Sequence, residues 1–132
     1  ELRDKNKKWA EIHPETDIGH IHLQVSQLSH ADTFYRGVLG MDITQDTYPG
    51  ALFLSAGCYH HHIGANIWAG EGAAAPNHDS LGLAGFGILI PDQENREIMI
   101  QHMSENHVNM NQNNNRFFVE DHDHNSIELI FN

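Results

Sequence analysis

Ile18-Gly19-His20-Ile21-His22-Leu23-Gln24-Val25 is the stretch on which the fold turns. Apolar and polar side chains alternate along it with period two, the signature of a β-strand with two unlike faces. Ile21, Leu23 and Val25 share one face and read as core. His20, His22 and Gln24 share the other, which is polar and carries two imidazoles. Just downstream the period changes to that of a helix. Ala31, Phe34, Tyr35, Val38 and Leu39 fall at i, i+3, i+4, i+7 and i+8, one apolar stripe. Ser29, with Asp32 three residues on, predicts a capping box at its start, and Gly40 supplies the C-terminal stop.

Working outward, strands are predicted over 41–47, over 51–56 after the Pro49-Gly50 turn, and over 59–68 after Gly57. Residues 71–79 are small and turn-forming, and after them the pattern begins again. A strand is predicted over 85–90, closed by Pro91, and a helix over 93–106. An Asn-rich loop at 109–115 leaves room for a short strand. A strand follows over 116–120, then a tight turn at 121–125 and a last alternating strand over 126–131. The chain thus repeats one β-α-β-β-β unit, in modules 18–70 and 84–132, behind a lead-in at 1–17. The fold class is α+β, the two modules forming a curved, cup-shaped mixed sheet with helices on its outer face.

Bulk properties narrow the function. At 132 residues the chain suits one domain with its own core. The formal charge is −11, and four of the seven basic residues, Arg3, Lys5, Lys7 and Lys8, crowd the start. Beyond residue 8 only Arg36, Arg96 and Arg116 remain against the acids, so the body repels nucleic acid and anionic membranes. Cys58 is the single cysteine, which with the lack of a signal-like or membrane-spanning apolar run suits a reduced, cytoplasmic protein. Of the 12 histidines, His13, His30, His78, His102, His107, His122 and His124 read as scattered surface residues. The other five, His20, His22, His60, His61 and His62, stand in two tight groups on predicted strands. The run Asp121-His122-Asp123-His124 has metal-binding composition but reads as a surface turn.

The stretch Gly19 to Ser26, with Phe34-Tyr35-Arg36 and Val38-Leu39-Gly40-Met41, resembles the opening module of vicinal oxygen chelate proteins. That superfamily includes glyoxalase I, bleomycin-resistance proteins and extradiol ring-cleaving dioxygenases. Asp121 to Leu129 is similar to its closing turn and last strand, so the resemblance covers nearly all of 18–132. More narrowly, Phe53 to Trp68 resembles the C-terminal half of two-domain bacterial catechol 2,3-dioxygenase-like proteins. The lead-in would then be an interdomain linker. The absence of an initiator methionine fits an excised piece, whose partner is a missing N-terminal domain, a second copy in a homodimer, or both.

Strand parity assigns the faces. Along 59–68, His61 falls with Ile63, Ala65 and Ile67 on the apolar face and reads as structural; His60, His62, Asn66 and Trp68 face the cup. Along 126–131, Ile127, Leu129 and Phe131 are core and Glu128 faces the cup. The resemblance implies a divalent metal, Fe(II) in the first place with Mn, Ni or Zn as alternatives, bound by His20 from the first strand and Glu128 from the last. The family's second histidine would open the strand at position 85, which is Gly85 here. His62, or His60, could supply that imidazole from the fourth strand; the other repair is a cup completed by ligands from the missing N-terminal half or a second subunit. The expected ligands are therefore His20, His62 and Glu128. His22 and His60 are the candidates for acid/base catalysis, and Tyr59, Asn66 and Trp68 for lining the pocket of an aromatic diol-like substrate. The implied activity is metal-dependent ring cleavage. A glyoxalase-like isomerase or lyase, or a metal-free small-molecule-binding or scaffold half, are the other readings, and Gly85 favours the last.

Overall fold

The computed structural model describes residues 9–77, 79–91, 94–113 and 116–131. The basic residues of the lead-in, His78, the first predicted residue of the second helix and the end of the Asn-rich loop lie outside them. The strands are β1 (Ile21–Gln24), β2 (Asp42–Gln45), β3 (Ala51–Ser55), β4 (Ile63–Asn66), β5 (Phe86–Ile90), β6 (Asn111–Asn113), β7 (Arg116–Glu120) and β8 (Ser126–Phe131). Helix α1 covers residues 28–38 and helix α2 is Arg96–Glu105. No helix among the described residues is long and apolar enough to cross a membrane.

The strands form two four-stranded mixed sheets, ordered β1-β4-β3-β2 and β5-β8-β7-β6. In each, the first and last strands of the module run parallel and the other pairs antiparallel. The two sheets are one topology used twice, so the repeat read from the sequence is real at the level of hydrogen bonding. A single apolar cluster draws on both halves. It includes Leu23, Phe34, Tyr35, Leu54 and Ile63 from the first and Met103, Phe117, Ile127 and Leu129 from the second.

Helix α1 carries the apolar stripe as predicted: Ala31, Phe34, Tyr35 and Val38 are buried. Its start differs. The helix opens at Leu28 with Gln27 as N-cap and no side-chain cap. Ser29 lies inside the first turn, and Asp32 accepts from Arg36 one turn on, at 2.5 and 2.7 Å, instead of reaching back. The capping box therefore does not form; an i,i+4 ion pair takes its carboxylate. Residues Asp32–Val38 are π-wound, with Leu39 N–H donating to the Phe34 carbonyl five residues back. Gly40 closes the helix at φ 74°, a left-handed conformation that favours glycine.

The second cross-module tie is polar. Tyr35 is fully buried, and its hydroxyl donates to Asp121 Oδ2 at 2.8 Å. Asp121, itself buried, also accepts from Asp123 N–H, Asn125 N–H and the Asn125 amide. Asp123 Oδ1 in turn accepts from Ser26 N–H at 2.9 Å, just past β1. The Asp-His-Asp-His run is a turn, and its carboxylates are spent on holding the modules together.

The largest departure from the sequence reading is the strand expected over 59–68. Regular pairing begins only at Ile63 and ends at Asn66. His62 is pinned between strands, its N–H donating to the Leu54 carbonyl and its carbonyl accepting from Ile21 N–H. Residues 59–61 belong to the β3–β4 loop, where alternation no longer fixes which way a side chain points.

Candidate metal centre

The site is built on the face of the first sheet opposite the core. Register places His22, Gly64 and Phe53 side by side across β1, β4 and β3. Gly64 leaves the room that His22 occupies: a Cβ at that position would lie 2.8 Å from the imidazole. The glycine thus seats the His22 ring against the sheet between two larger neighbours.

The β3–β4 loop folds over this row. His61 lies against His20, His60 and Phe53 with ring centroids 4.6, 4.5 and 4.9 Å away, and meets His22 edge-on at 5.5 Å. His20 touches His60 at 5.6 Å and His22 at 5.7 Å. Four imidazoles therefore cluster, with His61 at the centre. This corrects the parity assignment, which put His61 on the apolar face; that rule assumed a strand where the chain is a loop. Thr44, at an irregularity in the β2–β3 pairing, helps set the loop, its hydroxyl donating to the His60 carbonyl at 2.7 Å.

His20, His60 and His61 each offer a nitrogen, all within 4.8 Å of one another. His20 and His60 are exposed and His61 is half-buried. His61 Nε2 is sealed from solvent and has no hydrogen-bond partner. Desolvation, and then the neighbouring His60, His20, His22 and His62, lower the His61 pKa below the ordinary histidine value. The shift favours the neutral ring, the form in which imidazole binds a metal.

The ligand set expected from the resemblance is not assembled. His62 lines a cleft with His20, but its Nδ1 accepts from Ala56 N–H at 3.2 Å and lies 3.1 Å from the Ser55 hydroxyl, while its ring stacks on Tyr59 at 4.7 Å. Glu128 is held on the second sheet by Arg116: Nε donates to Oε1 in a short contact, and Nη2 donates to Oε2 at 2.6 Å. Gly85 offers no ligand, and a Cβ there would sit 3.0 Å from the Ser126 carbonyl oxygen. A two-histidine, one-glutamate set drawn from positions 20, 85 and 128 does not fit these residues.

The remaining candidates separate. Tyr59 is partly exposed beside the histidines, in ring contact with His60 at 4.3 Å, its hydroxyl fitting where Gly19 lacks a side chain. Asn66 is buried, its Oδ1 accepting from Trp68 N–H at 3.4 Å. Trp68 turns to the β2–β3 turn, where its indole N–H donates to the Pro49 carbonyl at 3.2 Å. Two residues absent from the sequence reading link Trp68 to the site. Tyr48 meets Trp68 and Phe53, each at 6.2 Å, and Phe53 meets His22 at 5.9 Å. The signal for Phe53 was its i,i+2 relation to the apolar Ala51 and the small Ser55, which places all three on the histidine side.

A cleft of about 870 Å³ runs from Asp17, His20, Tyr59 and His62 to Leu83, Gly85, Gly87 and Leu89, bringing both modules to one opening. Glu128 lines a smaller neighbouring cleft of about 320 Å³, with Gly85, Gly87 and Phe118.

A sequence model of the Glyoxalase/Bleomycin resistance protein/Dioxygenase superfamily matches residues 17–129. A catechol-2,3-dioxygenase of Bacillus subtilis (strain 168) is 43% identical over 109 residues, 81% of this chain and 38% of that protein. The chain thus spans well under half the length of that relative. Among solved structures, a putative glyoxalase family protein from Bacillus anthracis superposes with a TM-score of 0.67 at 16% identity, over 92% of this chain and 99% of that one. A lactoylglutathione lyase from Agrobacterium tumefaciens superposes with a TM-score of 0.65 at 17% identity, over 90% and 96%. At such identities the likeness to solved structures is one of fold.

Proposed function

The chain belongs to the Glyoxalase/Bleomycin resistance protein/Dioxygenase superfamily, and from that premise we propose that it is a metal-dependent, ring-cleaving domain of the catechol 2,3-dioxygenase type. Its substrate is a small aromatic molecule with two neighbouring oxygens. The observation that carries this reading is the histidine cluster flanked by Phe53, Tyr48 and Trp68, which puts imidazole nitrogens beside an aromatic wall. The relative of highest identity quoted above points the same way.

A bound divalent metal, Fe(II) before Mn, Ni or Zn, would supply Lewis acidity and dioxygen activation. The chain's own residues supply the rest. Phe53 and Tyr48 offer ring edges and faces for an aromatic substrate. His22, exposed and seated on Gly64, is placed to take a proton from a bound hydroxyl and return it later. The acidic body disfavours polyanions, which suits a small neutral phenol. The exposed, unpaired Cys58 suits a reducing, cytoplasmic setting.

A glyoxalase-like isomerisation is the second reading, favoured by fold neighbours named for glyoxalase and lactoylglutathione lyase. The test is anaerobic loading of the purified protein with Fe(II) and catechol, followed by oxygen. The expected result is oxygen uptake with a yellow ring-opened product. Metal-loaded protein that consumes no oxygen across several catechols, yet isomerises a hemithioacetal, would replace the first reading with the second.

A further inference from the structure

We infer that His20, His60 and His61 form a divalent-metal site built of imidazoles alone, in place of the two-histidine, one-carboxylate set that the family resemblance implies. The inference rests on reading the histidine cluster as a metal centre, and does not depend on which reaction follows. Three observations carry it.

The first is convergence. One nitrogen from each ring falls within a 4.8 Å group that brings together the residue just before β1 and two residues of the β3–β4 loop. Imidazole nitrogens bind such metals at about 2.0–2.1 Å, which sets them roughly 3–3.4 Å apart around the ion. The group is thus slightly open, and His20 and His60, both exposed, have the freedom to close it.

The second is the orphaned Nε2 of His61, the one buried side-chain nitrogen or oxygen among the described residues that has no hydrogen-bond partner. Leaving such a group dry and unpaired is costly. The rings of His20, His22, His60 and Phe53 pack against it, and although imidazoles can donate or accept, none of them hydrogen-bonds this nitrogen. A cation shared with His20 and His60 gives that lone pair a partner.

The third is that the alternatives are engaged. Both oxygens of Glu128 are taken by Arg116, position 85 has no side chain, and His62 Nδ1 is used by Ala56. Three neutral ligands leave the ion with both its charges, whereas a glutamate would cancel one. The centre therefore selects chelators that arrive as dianions, or that lose two protons on binding.

The test is metal binding read without turnover. Metal-stripped protein is titrated with Co(II), following the visible absorption bands and counting cobalt by elemental analysis. One cobalt per chain is expected. His60→Ala and His61→Ala should each weaken it at least tenfold, while Glu128→Gln and His62→Ala stay within twofold of the parent. Thermal melts accompany each variant, and His60→Ala, at an exposed position, decides the matter if His61→Ala does not fold. Loss of cobalt in Glu128→Gln with retention in His60→Ala overturns the inference, as does a parent protein that binds no stoichiometric cobalt. Catechol turnover that follows Glu128 and ignores His60 would sink this site and leave the dioxygenase reading standing. Cobalt held by the three histidines with no turnover on any catechol would do the reverse.

Discussion

The two modules share one strand order and one pattern of parallel and antiparallel pairs, yet their polar faces have opposite contents. In the first module, residues 20–22 and the β3–β4 loop present four imidazoles, with Phe53 and Tyr48 behind them. In the second, the matching strand presents Gly85 and Gly87, and the one cup-facing carboxylate of β8 is neutralised by Arg116. The strand order is kept in both, and the histidine cluster stands in one. The second module acts as the wall that closes the cleft and as the anchor that fixes α1.

The anchor is where this division is most open to breaking. Asp121 accepts from Tyr35, Asp123 and twice from Asn125, and Asp121→Ala would strand the buried Tyr35 hydroxyl and three part-buried donors. A buried unpaired donor costs about 1–3 kcal/mol and part-buried ones less, so a loss of about 3 kcal/mol is expected in urea denaturation. If the modules were energetically independent, the unfolding of the first would not respond. A single transition that moves as a whole is expected instead.

The same contact gives a smaller, pH-dependent effect. Burial, and then the charge and hydrogen bond of Asp121, raise the Tyr35 pKa far above the ordinary tyrosine value. A raised folded pKa contributes stability that is fully present below the unfolded value, about 10, and is lost as pH climbs beyond it. Stability should therefore fall above pH 10 with a slope approaching 1.4 kcal/mol per pH unit from this residue. Tyr35→Phe, which also loses about 1.5–3 kcal/mol for a hydrogen bond to a charged acceptor, should remove that part of the slope. An alkaline slope unchanged in Tyr35→Phe would show that the phenol titrates freely and does not bind the modules.

How much of this was legible in the sequence follows from where period and pairing coincide. The alternation of Ile21, His22, Leu23 and Gln24 and the stripe of Phe34, Tyr35 and Val38 each report a regular element packed on one side, and both faces came out as read. The doubled unit was legible for the same reason. His61 was not, because parity says nothing once the ladder is broken, and the ladder starts only at Ile63. Glu128 was correctly placed on the cup face, but its partner Arg116 stands 12 residues away on the neighbouring strand β7, a pairing that needs the register of β7 with β8. Phe53 and Tyr48 escaped notice because their role depends on cross-strand neighbours, not on spacing along the chain.

The paired glycines sharpen the contrast at lower cost. Gly64→Ala meets the ring of His22 at 2.8 Å, and that ring is exposed and able to swing aside. The expected loss in stability is small, about 1 kcal/mol, while turnover falls because His22 leaves its seat. Gly85→Ala meets the Ser126 backbone oxygen at 3.0 Å, which cannot swing, so its first effect is on thermal stability. Equal effects of both substitutions on kcat at unchanged melting temperature would erase the asymmetry between modules.

The smallest expected effect tests whether the second module conceals a ligand. Arg116 is 62% exposed in its pairing with Glu128. Exposed ion pairs contribute roughly 0–1 kcal/mol, so Arg116→Ala should barely shift the melting temperature. It does, however, release a half-buried carboxylate whose only ion pair among the described residues was with that arginine. If Glu128 belongs to the metal set, freeing it from the guanidinium should tighten divalent-metal binding, since the ion no longer competes with Arg116 for the same two oxygens. If the metal belongs to His20, His60 and His61, the affinity should stay within twofold. Calorimetric titration of the variant with Zn(II) separates the two outcomes, and the near-absence of a stability cost makes the comparison clean.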